Sequence, residues 1–356
     1  MTDHEDLREL RLRRFRPVAA VRTAEHQVPR ARFPAIDVHN HLGRWLTSGW
    51  AAPDVGALLE MMDAANVAAI VNLDGMRGEE LRANLDRYDR AHPGRFVTFA
   101  QVDWREVARG EGSGERLATQ LREAVDAGAR GLKVWKDLGL HLRDDGGVLI
   151  APDDERLSPL WEMAGDVGVP VLIHTGDPVA FFDPMDGRNE RIEELLEHPD
   201  WWFGDRARFP AFDDLLGAFE RLVASHPRTT FIGAHVAGAS EDLAWVGRML
   251  ETYPNLHVDL AARIAELGRQ PRATRALLER HPTRILFGTD EFPPMQEVYA
   301  IHFRFLETAD ESFAYSIEDP PPQGRWAISG LDLPDDVLRA VYRENALRLI
   351  SGLDPS

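Results

Sequence analysis

The sequence predicts a single-domain (β/α)8 barrel of the TIM type, on three observations. Short apolar runs rich in Val, Ile, Leu and Phe recur eight times after residue 34. Amphipathic helical patterns separate them, as a parallel sheet wrapped by helices requires. No Gly-rich phosphate turn follows the first run, which favours the barrel over an open doubly wound sheet.

The runs are "AIDVHNH" (35–41), "VAAIVNLD" (67–74), "RFVTFAQVD" (95–103), "GARGLKVWK" (128–136), "VPVLIHTG" (169–176), "TTFIGAHV" (229–236), "NLHVDLAA" (255–262) and "RILFGTDE" (284–291). Gly, Pro or Asn bounds each, as expected of buried parallel strands. Between them, "DVGALLEMMDAA" sets Val55, Leu58, Leu59 and Met62 on one helical face, and "RLATQLREAVDAG" does the same with Leu117, Leu121 and Val125 before a stop at Gly128. "DDLLGAFERLVASHP" and "PDDVLRAVYRENALRLI" repeat the spacing. His92, His226 and His281 each precede a proline; they read as helix terminators, because proline disfavours helix in the residue before it. Residues 1–33 form an N-terminal arm expected to pack on the barrel, which occupies 34–356. Two stretches are longer than ordinary βα loops, 177–210 after the fifth strand and 291–333 after the eighth. Both leave the barrel face where active sites form, so both are expected to cover substrate.

Composition narrows the function. In 356 residues, 41 Lys and Arg oppose 59 Asp and Glu, a formal charge of −18. That balance disfavours nucleic acid and anionic membrane as partners and suits an enzyme of small molecules. With no cysteine, any metal site must use nitrogen and oxygen ligands. No apolar run approaches a membrane span, the charged start "MTDHEDLRELRLRRFRP" lacks a secretory apolar region, and a cytoplasmic location is expected. The Arg11, Arg13, Arg14 and Arg16 cluster reads as a solvated arm.

Polar residues at the strand ends carry the chemistry. Residues two apart in a strand share a face, so His39 and His41 point one way, and Asp37 with them. Facing inward at the barrel mouth, two imidazoles can hold one divalent ion at about 2.0–2.1 Å. Alone, His-x-His is a weak signal. The fifth run, however, ends in "LIHTGD" with His174, the sixth in "IGAHVAG" with His235, and the eighth in "LFGTDEF" with Asp290. Burying such groups without partners is costly, and together they read as one distributed site.

The ordered set "DVHNHLG", "LIHTGDP", "FIGAHVAG", "ILFGTD" and the closing "NALRLI" resembles the amidohydrolase superfamily. Within it, the chain is most similar to the amidohydrolase-related (amidohydrolase 2) family of metal-dependent TIM-barrel hydrolases and nonoxidative decarboxylases. The resemblance spans nearly the whole barrel. It implies that His39, His41, His174 and Asp290 hold a divalent metal, zinc first and Mn2+ second, with one ion expected over two. It also implies that His235 acts as an acid/base or substrate-polarising group. Lys133, in "GLKVWKDLGL", stands where binuclear members of the superfamily carry a carboxylated lysine between two ions. In that case His174 and His235 would serve the second ion. Lys133 could equally hold an anionic substrate or make a salt bridge. Lys136 has the opposite strand parity and is assigned to a loop or the outer face.

Three imidazoles and a carboxylate leave an ion with open positions for water, whose pKa falls to about 7 on zinc, with Asp290 placed to accept its proton. Trp135, Asp177 and Arg263 are candidate substrate-binding residues. Phe181, Phe182, Trp201 and Trp202 line a pocket or pack a core. Asp259 contacts substrate or Arg263, Asp37 supports the site or the backbone, and His257 belongs to the core. The leading expectation is a metal-dependent hydrolase of an amide, lactone or related carbonyl compound. The second is a nonoxidative decarboxylase of an aromatic or unsaturated carboxylic acid. Several decarboxylases of the family replace the first ligand histidine by glutamate, whereas this chain keeps His39. A noncatalytic barrel is the third reading, and the complete ligand set argues against it. A homodimer is compatible with the resemblance, but no interface is legible.

Overall fold

All eight expected strands are present in the computed structural model, which describes Leu7 and residues 9–353. They are β1 (Ala35–Asn40), β2 (Val67–Asn72), β3 (Phe96–Thr98), β4 (Leu132–Val134), β5 (Val171–Ile173), β6 (Phe231–Gly233), β7 (Leu256–Asp259) and β8 (Ile285–Leu286). Every pairing is parallel, in the orders β1-β2-β3 and β4-β5-β6-β7-β8. Backbone hydrogen bonds close both seams. Ala100 bridges Leu132, with Lys133 N donating to Ala100 O at 2.8 Å. On the other side Val38 N donates to Phe287 O at 3.0 Å and Asp290 N to His39 O at 2.8 Å. The regular strands are shorter than the apolar runs because their last residues leave the ladder to carry the site. β8 is the extreme case. At Gly288 a Cβ would lie 3.0 Å from the His39 Cβ, so glycine there lets the two strands approach.

Two apolar layers follow from strand alternation. Ala35, Val67, Ile70, Phe96, Leu132, Val134, Val171, Ile173, Phe231, Leu256 and Val258 pack outward against helical residues such as Met62, Leu117, Leu121, Trp161 and Phe219. Ile36, Val38, Ala69, Val71, Val97, Leu172, Ile232 and Leu286 fill the interior, and Ala346, Ile350 and Leu353 of the C-terminal segment join them. The helices Val55–Ala65, Ser113–Ala127, Ser158–Val167, Phe212–Ser225, Leu243–Thr252, Pro271–Arg280 and Gln296–Glu307 wrap the sheet. Asp54 caps the first by accepting from Ala57 N, and Asn66 ends it in the left-handed region. His226 and His281 stand at helix C-caps, as their Pro neighbours require. The helix expected over 334–350 carries a π-helical turn, Ala340–Glu344.

Three expectations need correction. The stretch 291–333 is not all loop: Tyr299, Phe303 and Leu306 recur at helical spacing and are buried by the helix Gln296–Glu307. The segment 177–210 likewise contains the short helix Ile192–Glu197. Asp37 does not share a face with the two histidines. Between Asp37 and Asn40, β1 fits three steps against two on β2 (Asp37 pairs with Ile70, Asn40 with Asn72), a bulge that shifts parity by one residue. Asp37 therefore points outward, accepting from Tyr299 Oη at 2.8 Å and Thr289 Oγ1 at 2.6 Å, while His39 turns inward.

Of the N-terminal arm, residues 1–6 and Arg8 lie outside the described residues. Further along it, His26 Nδ1 lies 2.6 Å from the buried Asp310 and Arg32 pairs with Asp335 at 2.8 Å. At the C-terminal end of β3, the partly buried Asp89 accepts from Thr98 N at 2.9 Å and Thr98 Oγ1 at 2.6 Å. Burial pushes its pKa up to about 6 despite those bonds. Folding thus favours the protonated acid, and stability from this group falls as pH rises from its ordinary value near 4 to about 6. The Asp89→Asn variant should therefore gain stability relative to the parent over that window and then level off. Urea denaturation at several pH values reads the difference, and a constant offset would contradict the assignment.

Candidate metal centre

The barrel mouth gathers residues that are far apart in the chain. His39 and His41 leave β1, His174 follows β5, His235 lies two residues beyond β6, and Asp290 follows β8. All four histidines are buried. Asp290 adopts a left-handed φ of 61°, and His235, Val236 and Ala237 follow with 58°, 59° and 57°. Non-glycine residues hold such conformations only where their surroundings fix them. Here His235 N donates to Asp259 Oδ1 at 2.8 Å, and Asp290 N is tied to β1 by the seam.

Three of the four imidazoles are aimed by a partner at the far nitrogen. His39 Nδ1 lies 2.8 Å from Asp259 Oδ2, His41 Nδ1 2.7 Å from Asp74 Oδ1, and His235 Nδ1 donates to Ala261 O at 2.8 Å. With Nδ1 protonated, each Nε2 presents a lone pair. Those lone pairs converge on Asp290. His41 Nε2 and His39 Nε2 lie 3.2 and 3.6 Å from Oδ1, and His235 Nε2 lies 3.7 Å from Oδ2. Lone pairs facing a carboxylate repel unless a cation stands between them, so the donor set fits a divalent metal. The buried His174 Nε2 has no hydrogen-bond partner, which is a further donor awaiting an acceptor of its lone pair.

The tightest group consists of His39, His235 and Asp290, whose ligand atoms all lie within 4.8 Å of one another. His41 joins it through Asp290. His174 stacks edge-on to His235, with centroids 4.3 Å apart, and its Nε2 is 3.4 Å from Asp177 Oδ1. His235, expected outside the ligand shell, thus sits as close to Asp290 as His39 does. Electrostatics follow. Burial, with Lys133 and then other neighbours, holds His39 well below the usual imidazole range, and burial with His174 does the same to His235. Burial also opposes a charge on His41, but its bonds to Asp290 and Asp74 raise it overall. Asp290 is only partly buried; desolvation opposes its charge, yet His39 and His41 hold it well below the ordinary carboxylate range. Lys133 Nζ lies 3.2 Å from His39 Nε2, fully buried, and burial lowers its pKa to about 8.

Residues 36–351 match the family model described as amidohydrolase. The chain belongs to the amidohydrolase family. It is accordingly a metal-dependent enzyme, and the donor set above is where this chain would hold its metal. Solved structures share the fold. The 2,6-dihydroxybenzoate decarboxylase from Rhizobium superposes with a TM-score of 0.56 at 18% identity, covering 89% of this chain and 98% of that one. A TIM-barrel protein from Bordetella bronchiseptica superposes at 0.53 with 16% identity, over 88% of this chain and 97% of that one. No curated protein matches the chain in sequence.

Above the donors this amidohydrolase has a cavity of about 410 Å3. Aromatic rings and charged groups both line it. Trp135 stacks on His41 (centroids 4.9 Å apart, 29°), Trp45 leans on Trp135 at 4.7 Å, and Phe292 meets His41 edge-on at 5.4 Å. Lys136, Asp177, Arg191 and Arg263 are in the lining too, with Lys136 Nζ over the Trp201 ring at 5.0 Å and the Arg191 guanidinium 5.9 Å from the Phe181 ring. The placement of Lys136 corrects the parity argument. The chain turns into helical φ/ψ at this residue, alternation ends, and Nζ swings into the cavity to meet Asp177 Oδ2 at 2.6 Å. Lys136 and His174 hold Asp177 well below the usual carboxylate range against the effect of burial. Phe181 and Trp201 line the cavity from one aromatic cluster that they share with Phe182, Trp202, Phe203 and Phe209. Asp259 supports His39 instead of meeting Arg263. His257 pairs in register with Ile232, inside the barrel below the site, and burial lowers it to about 3.

Sequence reasoning missed Asp74, the carboxylate behind His41, although "VNLD" shows it just past the second run; nothing local tells it from a turn residue. It also missed Arg191, Glu194 and Gln323. Removing a carboxylate that orients a metal-ligating histidine costs about 10–100-fold in metal affinity or activity. Asp74→Asn should do so while the protein stays folded, as read by competition with a chromophoric chelator and by circular dichroism. Unchanged metal affinity would show that His41 needs no such support.

Among the described residues, no helix is long and apolar enough to cross a membrane.

Proposed function

We propose that this enzyme removes carbon dioxide, without oxidation, from a small planar aromatic or unsaturated carboxylic acid. The observation that carries this reading is the cavity lining: the aromatic rings of Trp45, Trp135 and Phe292 beside the metal donors, together with the cations Lys136, Arg191 and Arg263. A flat conjugated acid fits that arrangement. The related barrel from Rhizobium, a 2,6-dihydroxybenzoate decarboxylase, lends support to the same class. A bound divalent ion, zinc or manganese, supplies Lewis acidity for oxygens of the substrate. The chain does the rest. Trp135 and Phe292 hold the plane of the substrate. With the ion held by His39, His41, His174 and Asp290, the Nε2 of His235, kept neutral by burial, would stay free to accept a proton from an ionisable substrate group or water and deliver it to the carbon that loses carbon dioxide. The electron pair of the broken carbon–carbon bond stays on that carbon and takes up the proton. Asp259 and the Ala261 carbonyl keep His39 and His235 in the tautomer this requires.

Hydrolysis of an amide or lactone is the second reading, and Lys133 favours it. Its position 3.2 Å from His39 Nε2 suits a carboxylated bridge between two ions, the arrangement of binuclear hydrolases in the superfamily. One experiment separates the two. The metal-loaded protein is incubated with hydroxybenzoates, unsaturated diacids, aryl amides and lactones in 18O-water. Carbon dioxide release without 18O in the organic product supports decarboxylation; 18O in a new carboxylate overturns it in favour of hydrolysis. Metal counting on the same sample gives one ion or two.

A further inference from the structure

We infer that Arg263 is an anchor for a second anionic oxygen group of the substrate, one distinct from the group at the metal donors. The inference rests on the reading of the cavity as a site for planar acids and deepens it: the preferred substrate is a dianion on a flat frame.

Arg263 stands just beyond β7 and lines the cavity at 5% exposure. A guanidinium has five N–H donors in a planar fork. Among the described residues Arg263 makes one hydrogen bond, from Nη1 to its neighbour's carbonyl, Ala262 O, at 2.8 Å. Its nearest carboxylate oxygen, Asp177 Oδ1, is 3.9 Å away, beyond hydrogen-bond reach, and Asp177 is already engaged by Lys136 at 2.6 Å. The other guanidinium nitrogens are not sealed in the protein and can reach the cavity. Arg191, the neighbouring arginine in the wall, is a useful contrast. It holds Glu194 at 2.6 Å and Glu266 in a short contact, so its fork is filled. A buried guanidinium with an open fork is matched by a planar oxyanion bound through two N–H groups.

The surroundings fix its position. Ala262 O also accepts from Gln323 Nε2 at 3.2 Å, which ties the β7 end to the segment after β8. Arg263 lines the same cavity as the metal donors and as Trp135 and Phe292, so a substrate at the donors can present a second group to it. Carboxylate and phenolate share the required chemistry; a rigid diacid and a hydroxy acid distinguish them.

The test is binding, not turnover. Isothermal titration of the purified protein, with its metal content measured, compares benzoate with isophthalate and 3-hydroxybenzoate. Isophthalate should bind about 10- to 100-fold more tightly than benzoate, the range of one charge-assisted fork. Arg263→Met should abolish that preference while leaving benzoate affinity and metal content unchanged, and Arg263→Lys should retain part of it. A benefit shared by 3-hydroxybenzoate assigns phenolate as well as carboxylate to the subsite. Equal affinities for benzoate and isophthalate in the parent protein overturn the proposal, even if a variant fails to fold. So does a preference that survives Arg263→Met, or no binding by any of the three. These outcomes are independent of the reaction: a protein that hydrolyses lactones and still prefers isophthalate through Arg263 refutes decarboxylation but not the anchor.

Discussion

Asp290→Asn will empty the metal centre and lower turnover by about 10²–10⁴-fold. The carboxylate is the one anionic donor onto which His39, His41 and His235 converge, at 3.6, 3.2 and 3.7 Å. Asparagine matches its shape but supplies neither the charge that balances a dication nor a base. Elemental analysis of the purified variant should find metal well below that of the parent, while the circular dichroism spectrum is retained. The fold does not depend on the Asp290 side chain, because its strand is held through the main-chain bond from Asp290 N to His39 O. Full metal content with unimpaired turnover would remove Asp290 from the site.

The second large effect is on stability. Arg191 is 1% exposed and sits between Glu194 and Glu266, of which Glu266 is itself 3% exposed. Removing one partner of a buried pair strands the other charge, at a cost of about 3–5 kcal/mol. Arg191→Ala should lose stability on that scale in urea denaturation at neutral pH. Truncating an exposed pair such as Arg44–Glu80 should cost far less, because solvent screens it. The pH dependence has a definite sign. Burial already raises Glu266, and Arg191 is the chief group restraining it. Without Arg191 its folded pKa rises further above the unfolded value, so the variant's deficit should shrink as pH is lowered and Glu266 protonates. A deficit that grows on acidification would show that the effect is one of packing alone. Arg191, with Glu193–Arg325 and Glu190–Arg269, ties the segment after β5 to its neighbours. Its loss should therefore also loosen the cavity wall.

Much of this molecule is legible in its sequence because the relevant signals are local. Apolar runs bounded by Gly and Pro reveal strands, and the three-and-four spacing of Leu and Val reveals helices. A polar residue closing an apolar run marks a strand end, which is how His39, His41, His174, His235 and Asp290 stand out. The helix Gln296–Glu307 was hidden inside a stretch rich in Pro and polar residues, although Tyr299, Phe303 and Leu306 carry its period. Lys136 does leave the strand, as expected of a loop residue, but strand parity said nothing of where its Nζ goes, because alternation ends where the backbone turns.

What the sequence determined by itself is the order of strands and helices and the residue types brought to the barrel mouth, for each depends on near neighbours along the chain. Tertiary structure alone decided which way those residues face and what stands behind them. The bulge that parts Asp37 from His39 exists only in the register of β1 against β2. Asp74 and Asp259 become partners of His41 and His39 only across 33 and 220 residues of chain. Arg263 is left with an open fork while Arg191 has a filled one because of where Glu194 and Glu266 fall in space. The physical reason is the same each time: hydrogen bonds and charges act over a few ångströms, and closure of the barrel, not separation in sequence, sets those distances.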